Sequence, residues 1–147
     1  MLVVIVIIAI LVGIGLGIYQ QARNTAWKEK ARDTARQIAT AWNVYLMDNH
    51  AFPAALVGSQ FPTTAANMSL LYSNTANHIY LEQSADQRKK GMKDKWGNYF
   101  QVQFQDATYS GTVPSPIDGS TINANVIVWS LGPHPSDKSS SYCVAWQ

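Results

Sequence analysis

The first 22 residues, MLVVIVIIAILVGIGLGIYQQA, contain no charged side chain, and through residue 19 nearly all are apolar or glycine. As a helix, residues 1–19 span roughly 28 Å at ~1.5 Å per residue, close to the ~30 Å of bilayer hydrocarbon. That length suits a membrane span or the core of a filament better than a buried helix in a small soluble domain. A cleaved secretory signal is the competing reading, but it wants a positive n-region and a shorter apolar core. Here the run continues into a charged helical pattern without a clear break. Gly13, Gly15 and Gly17 interrupt it, each costing about 1 kcal/mol relative to Ala in a helix. They permit close helix packing and also mark a point where the helix can unwind; the two roles are compatible.

Beyond the run, residues 23–50 are amphipathic. Trp27, Ala31, Ala35, Ile38, Trp42, Tyr45 and Asn49 recur at steps of three and four, so they share one helical face. The aromatics among them are expected to pack rather than to carry electrons. Lys28, Lys30, Arg32, Asp33 and Arg36 fall elsewhere on the surface, with Glu29–Arg32 and Asp33–Arg36 as opposite charges at i,i+3. No proline occurs before Pro53, so one helix to about residue 50 is expected, apart from a break at the glycines. Its first half is apolar all round, and its second half carries a single stripe suited to a sheet.

The chain has 147 residues, which leaves one small domain after the hydrophobic segment. The expected division is 1–22 as the membrane or filament-core half of the helix and 23–147 as the globular part. Net charge is +2 with no sustained basic run, so nucleic acid is not an expected partner. Cys143 is the single cysteine and excludes an intramolecular disulfide. Its apolar flanks predict burial.

Residues 49–67, with Pro53, Gly58 and Pro62, read as a loop. Short apolar pieces at 68–72 and 78–81 read as single helical turns, and the lysine-rich stretch 84–95 as a solvated loop. Residues 99–104 alternate, Phe100, Val102 and Phe104 against Tyr99, Gln101 and Gln103, at the period of a half-buried strand. Residues 124–130 are the second strong strand, with Val126 and Val128 opposite Ile127 and Trp129. A third follows at 142–146, after a loop at 131–141 that holds Pro133 and Pro135. The predicted fold class is α+β, a long N-terminal helix whose second half packs on a small antiparallel sheet.

Three segments carry a family resemblance. MLVVIVIIAIL resembles the LLVVIAIIAIL run of type IV pilins and of type II secretion pseudopilins. In those proteins a short phenylalanine-led stretch ending in glutamate comes first, so the resemblance implies such a stretch, with the processed N-terminus, upstream of Met1. Asp94-Lys95-Trp96-Gly97-Asn98-Tyr99 resembles the DPWGNPY segment of major pseudopilins, with Lys95 where proline is usual. Val128-Trp129-Ser130-Leu131-Gly132-Pro133 resembles their next strand-into-loop segment. The three matches run in the family's order, and together they point to the major pseudopilin branch.

The resemblance implies a structural subunit that self-associates into a helical filament, is held in the inner membrane before assembly, and works with secretion or pilus assembly machinery. Its domain would then lie in the periplasm or at the cell surface. The five basic and three acidic residues between the span and residue 50 point the other way by the positive-inside rule; the leader implied by the resemblance supplies the opposing charge. Major pseudopilins typically bind calcium in the last loop, yet residues 134–141 (HPSDKSSS) offer one acid, Asp137, beside Lys138, with His134 where relatives often have Asp. Calcium wants six to eight oxygens, several from carboxylates, so no metal or cofactor is expected. Asp106 or Asp118 could fold in to complete a calcium site. No catalytic site is expected either: His50, His78 and His134 are far apart in sequence and lack paired ligand spacing. The alternatives are a surface pilus subunit for adhesion, motility or DNA uptake, and a signal-anchored periplasmic binding domain or enzyme. The motifs after residue 90 weigh against the last.

Overall fold

The computed structural model describes residues 2–72, 78–108 and 111–146, with only the backbone of residues 2, 4–18 and 140 described. Apart from Val3 and Tyr19, the side chains of the apolar run therefore lie outside the described residues, and with them the expected membrane span. Among the described residues no helix is long and apolar enough to cross a membrane.

Helix α1 runs from Leu2 to Asn49, 48 residues or about 72 Å. It ends where His50 takes a positive φ of 59° and donates its N–H to the Leu46 carbonyl, closing the last turn. Residues 19–26 are all exposed, and burial begins at the half-buried Trp27. Ala31, Ala35, Ile38, Ala41, Trp42 and Leu46 are buried. The stripe therefore lies where its spacing predicts as far as Trp42, then passes through Leu46, while Asn49 stays exposed. Asn49 instead donates to the Tyr80 hydroxyl.

The stripe lies on a four-stranded antiparallel sheet of order β1-β2-β5-β6. The strands are β1 (Gln60–Pro62), β2 (Gln101–Phe104), β5 (Val126–Ser130) and β6 (Cys143–Val144). Val102 pairs with Val128 and Phe104 with Val126, so all four face the helix by the two-residue alternation of strands. Trp42 sits at the centre, edge-on to Phe104 at 5.0 Å, Phe61 at 6.2 Å and Phe52 at 6.4 Å. Phe52 and Phe104 stack at 3.9 Å.

All five residues of β5 are buried, because both faces of this strand are covered. Ile127 and Trp129 point away from the helix into a second cluster with Val113, Val144 and the half-buried Ile117, Ile122 and Trp146. Part of that cover is a small hairpin, β3 (Val113–Pro114) with β4 (Thr121–Ile122).

The structure adds elements where loops were predicted. A 3-10 turn at Ala54–Leu56, strand β1 and the start of α2 (Ala65–Tyr72) fall within residues 49–67. Helix α3 (Ala85–Lys90) occupies the lysine-rich stretch, and α4 (Lys138–Ser141) the last loop. Residues 78–81 form no helix. Leu81 is buried in the main core, so the apolar character marks an anchor rather than a turn.

Candidate functional site

The two motif segments that stand more than thirty residues apart in sequence meet at one end of the sheet. Asp94 is their centre. Its Oδ1 accepts the backbone N–H groups of Trp96 at 2.9 Å and Asn98 at 2.8 Å, which fixes the loop before β2 as a tight turn. Its Oδ2 accepts the Ser130 hydroxyl at 2.6 Å. A second tie runs alongside, from Asn98 Nδ2 to the Gly132 carbonyl at 2.9 Å. The Gly132 N–H donates to Ser130 Oγ at 3.0 Å. Ser130 thus spends its proton on a carboxylate and accepts from the backbone. The arrangement is a positioning device that joins two loops.

Gly132 is required there on two counts. Its φ of 66° is left-handed, and a Cβ would lie 1.9 Å from the Ser141 carbonyl oxygen. Ser141, itself buried, donates its hydroxyl to the Leu131 carbonyl and accepts the His134 N–H. Its own N–H goes to the Asp137 carbonyl. The last loop is therefore closed by its own serine.

Trp96 is half-buried and packs against the main core, with its ring edge-on to Trp27 at 6.1 Å. The guanidinium of Arg23 lies 4.2 Å from the centre of the Trp27 ring, a cation–π contact. Beside this stack, between α1 and the loop, is a cleft of about 190 Å³ lined by Lys30, Thr34, Gln87, Lys93, Asp94 and Lys95 among others. Lys93 reaches over the Tyr99 ring at 4.6 Å. Asp94 is the carboxylate in this lining, and the three hydrogen bonds above hold it.

Cys143 is buried on the helix side of the sheet. Burial pushes its thiol above the usual range, opposed in part by the positive charges of Lys28 and Arg32. Burial, as its flanks predicted, makes it an inert thiol.

The three histidines occupy different places. His50 caps α1, His78 Nδ1 lies 3.0 Å from Asp48 Oδ2, and His134 is exposed in the last loop. In that loop Asp137 accepts from the Ser139 hydroxyl. Asp118 belongs to the β3–β4 turn, where hydrogen bonds from Ser115 and Ser120 lower its pKa. Asp106 is exposed in the segment after β2. Among the described residues no group of three or more His, Cys, Asp and Glu is placed to hold a metal ion.

Two features of this region went unread in the sequence. Ser84 and Gln87 form a capping box at the start of α3, and the Ser-x-x-Gln spacing was its signal. The Asp94–Ser130 tie had no signal, since it depends on strand register. No family model, no curated protein and no solved structure matches this chain.

Proposed function

We propose that this chain is the structural subunit of a helical, pilus-like filament, similar to the major pseudopilin of type II protein secretion. Before assembly its apolar run holds it in the inner membrane, with the globular part in the periplasm or outside the cell. The observation that carries this is the course of α1. One continuous helix includes the charge-free run and the stripe that binds the sheet, and residues 19–26 between them are exposed. Burial by the domain begins at Trp27, and on this reading lipid or other apolar helices cover the charge-free run.

A second observation supports the pseudopilin branch. The segments 94–99 and 128–133, which resemble two family motifs, hydrogen-bond to each other through Asp94–Ser130 and Asn98–Gly132. In the assembled state apolar helices from many copies bundle into a core while the domains form the outer surface. The same segment serves lipid and filament in turn, and this work needs no catalytic group or metal.

Electron microscopy of the native assembly from cells is the test. Thin filaments built from this chain are expected, and a preparation without them would overturn the proposal. Filaments emerging from the cell surface would assign the subunit to a pilus for adhesion, motility or DNA uptake. A monomer that retains a small ligand would instead mark a signal-anchored binding domain or enzyme.

A further inference from the structure

Tyr19, Arg23 and Trp27 are spaced by four residues, so they lie on one face of α1. Each four-residue step drifts about 40° around the helix, so Trp27 leads into Ala31 and Ala35, on which the domain sits, while Tyr19 stands about 120° around from Ala31. Tyr19 is 65 % exposed, and Arg23, Lys30, Lys93 and Lys95 are all exposed as well. Trp27 meets Trp96 from the loop, and Lys95 precedes Trp96 in the chain. Lys30 and Lys93 line the adjoining cleft with Lys95. The underside of the domain is thus a rim of three aromatic rings and four cations around the helix where it leaves the apolar run.

The acidic groups nearby do not cancel this rim. Glu29 pairs with Arg32 at 2.6 Å and Asp33 with Arg36 at 3.4 Å. Asp94 directs both oxygens to the three donors described above. Arg23 stands four residues beyond Tyr19, about 6 Å along the helix, and Trp27 eight residues beyond Tyr19, about 12 Å. A headgroup layer is about 5–8 Å deep on each side of the hydrocarbon. Aromatic rings favour that layer, and lysine and arginine reach down to it on their flexible stems.

Resting on the proposed membrane anchoring of the run 1–22, we propose that this underside seats on a headgroup layer that carries anionic phospholipid. Arg23 contacts the headgroup phosphates and Lys95 reaches down to them, Tyr19 lies at the hydrocarbon border, and Trp27 with Trp96 forms the floor of the domain above the layer. Lys30 and Lys93 add to the attraction from the cleft. Docking in this way holds the unassembled domain upright against the membrane, and entering a filament requires that these contacts be released.

The test uses the full chain reconstituted in phosphatidylcholine vesicles that contain a minor share of phosphatidylglycerol. Electron spin resonance compares association of spin-labelled phosphatidylglycerol and phosphatidylcholine with the protein. The wild-type chain is expected to prefer the anionic lipid, by about fivefold for each cation at the layer at low salt, with the preference falling as salt rises. Arg23→Gln with Lys95→Gln should bring it close to unity. Lys89→Gln with Lys138→Gln removes equal charge elsewhere on the surface and should leave it intact. Equal association of the two lipids with the wild-type chain would overturn the inference, as would a control variant that loses the preference equally. Inorganic phosphate that abolishes the preference at constant ionic strength would show a free-anion site and overturn the lipid assignment. Filament assembly lost in the double variant with lipid preference unchanged would give the underside to a neighbouring subunit instead. A chain that fails to float with vesicles of phosphatidylcholine alone would remove the membrane anchoring itself, which separates that failure from the others.

Discussion

Asp94 holds three donors on two oxygens, two from its own loop and one from Ser130 across to the other. Removing the carboxylate leaves the Trp96 and Asn98 N–H groups and the Ser130 hydroxyl without their acceptor in a partly buried place. Asp94→Ala should therefore destabilise the domain by about 3 kcal/mol, or roughly 10 °C in melting temperature. Asp94→Asn keeps one oxygen for the two backbone donors, and its amide can donate to Ser130 Oγ, so its cost should be nearer ~1 kcal/mol. Equal melting temperatures for wild type and Asp94→Ala would mean that the tie contributes nothing. Cys143 gives a second check at this scale. Its thiol is buried and its pKa is raised, so at mildly alkaline pH it should resist alkylation until the domain opens. Labelling of the native chain as fast as of the denatured chain would contradict the packing of β6 on the helix.

Among elements, those legible in the sequence are the ones whose pattern is set by burial on one face. Phe100, Val102 and Phe104 alternate because β2 has the helix on one side, and the α1 stripe repeats because one side meets the sheet. β5 was legible for another reason: a short run of β-branched and aromatic residues, buried on both faces. What escaped is held by tertiary contacts. β1 is three residues long and includes Pro62, which no propensity favours in a strand; its place comes from Phe61 packing on Trp42 and pairing with β2. The β3–β4 hairpin has two residues per strand, too few for any periodicity. The last loop carries the prediction at this scale. Asp137 is its carboxylate, while Ser141 and the Asp137 carbonyl already satisfy its backbone donors. Calcium or chelator should leave the melting temperature unchanged, and Asp137→Ala should be nearly neutral. A bound ion at a hundredfold excess over its Kd adds about 2.7 kcal/mol, so a site would be plain in a melt. A calcium-dependent rise of several degrees, lost in Asp137→Ala, would sink the metal-free loop and favour the family pattern.

At the scale of the whole molecule, the proposed function assigns filament contacts and domain packing to successive stretches of one helix. The domain's buried contacts start at Trp27, and its central residues on α1 are Ala35, Ile38, Trp42 and Leu46. Residues 19–22, which precede this point, are exposed. A chain beginning at Arg23 should therefore fold, keep the Arg23–Trp27–Trp96 stack, and retain the Trp42 aromatic cluster. A helix start at that point frays, since the first turn lacks intrahelical acceptors for its N–H groups, but residues 23–26 carry no core contact. The truncated chain should melt within about 2 °C of the full chain's domain, because the energetic core is unchanged. Its association should differ completely. With the contiguous apolar surface gone and the stripe covered by the sheet, it should sediment as a monomer. Small-angle scattering and analytical ultracentrifugation read the second property, and a calorimetric melt reads the first. A truncated chain that still polymerises would place the filament contacts on the globular surface, and the apolar run would then serve only as an anchor. A truncated chain that fails to fold would instead mean that the run 1–22 belongs to the domain's own core, against the exposure of residues 19–26.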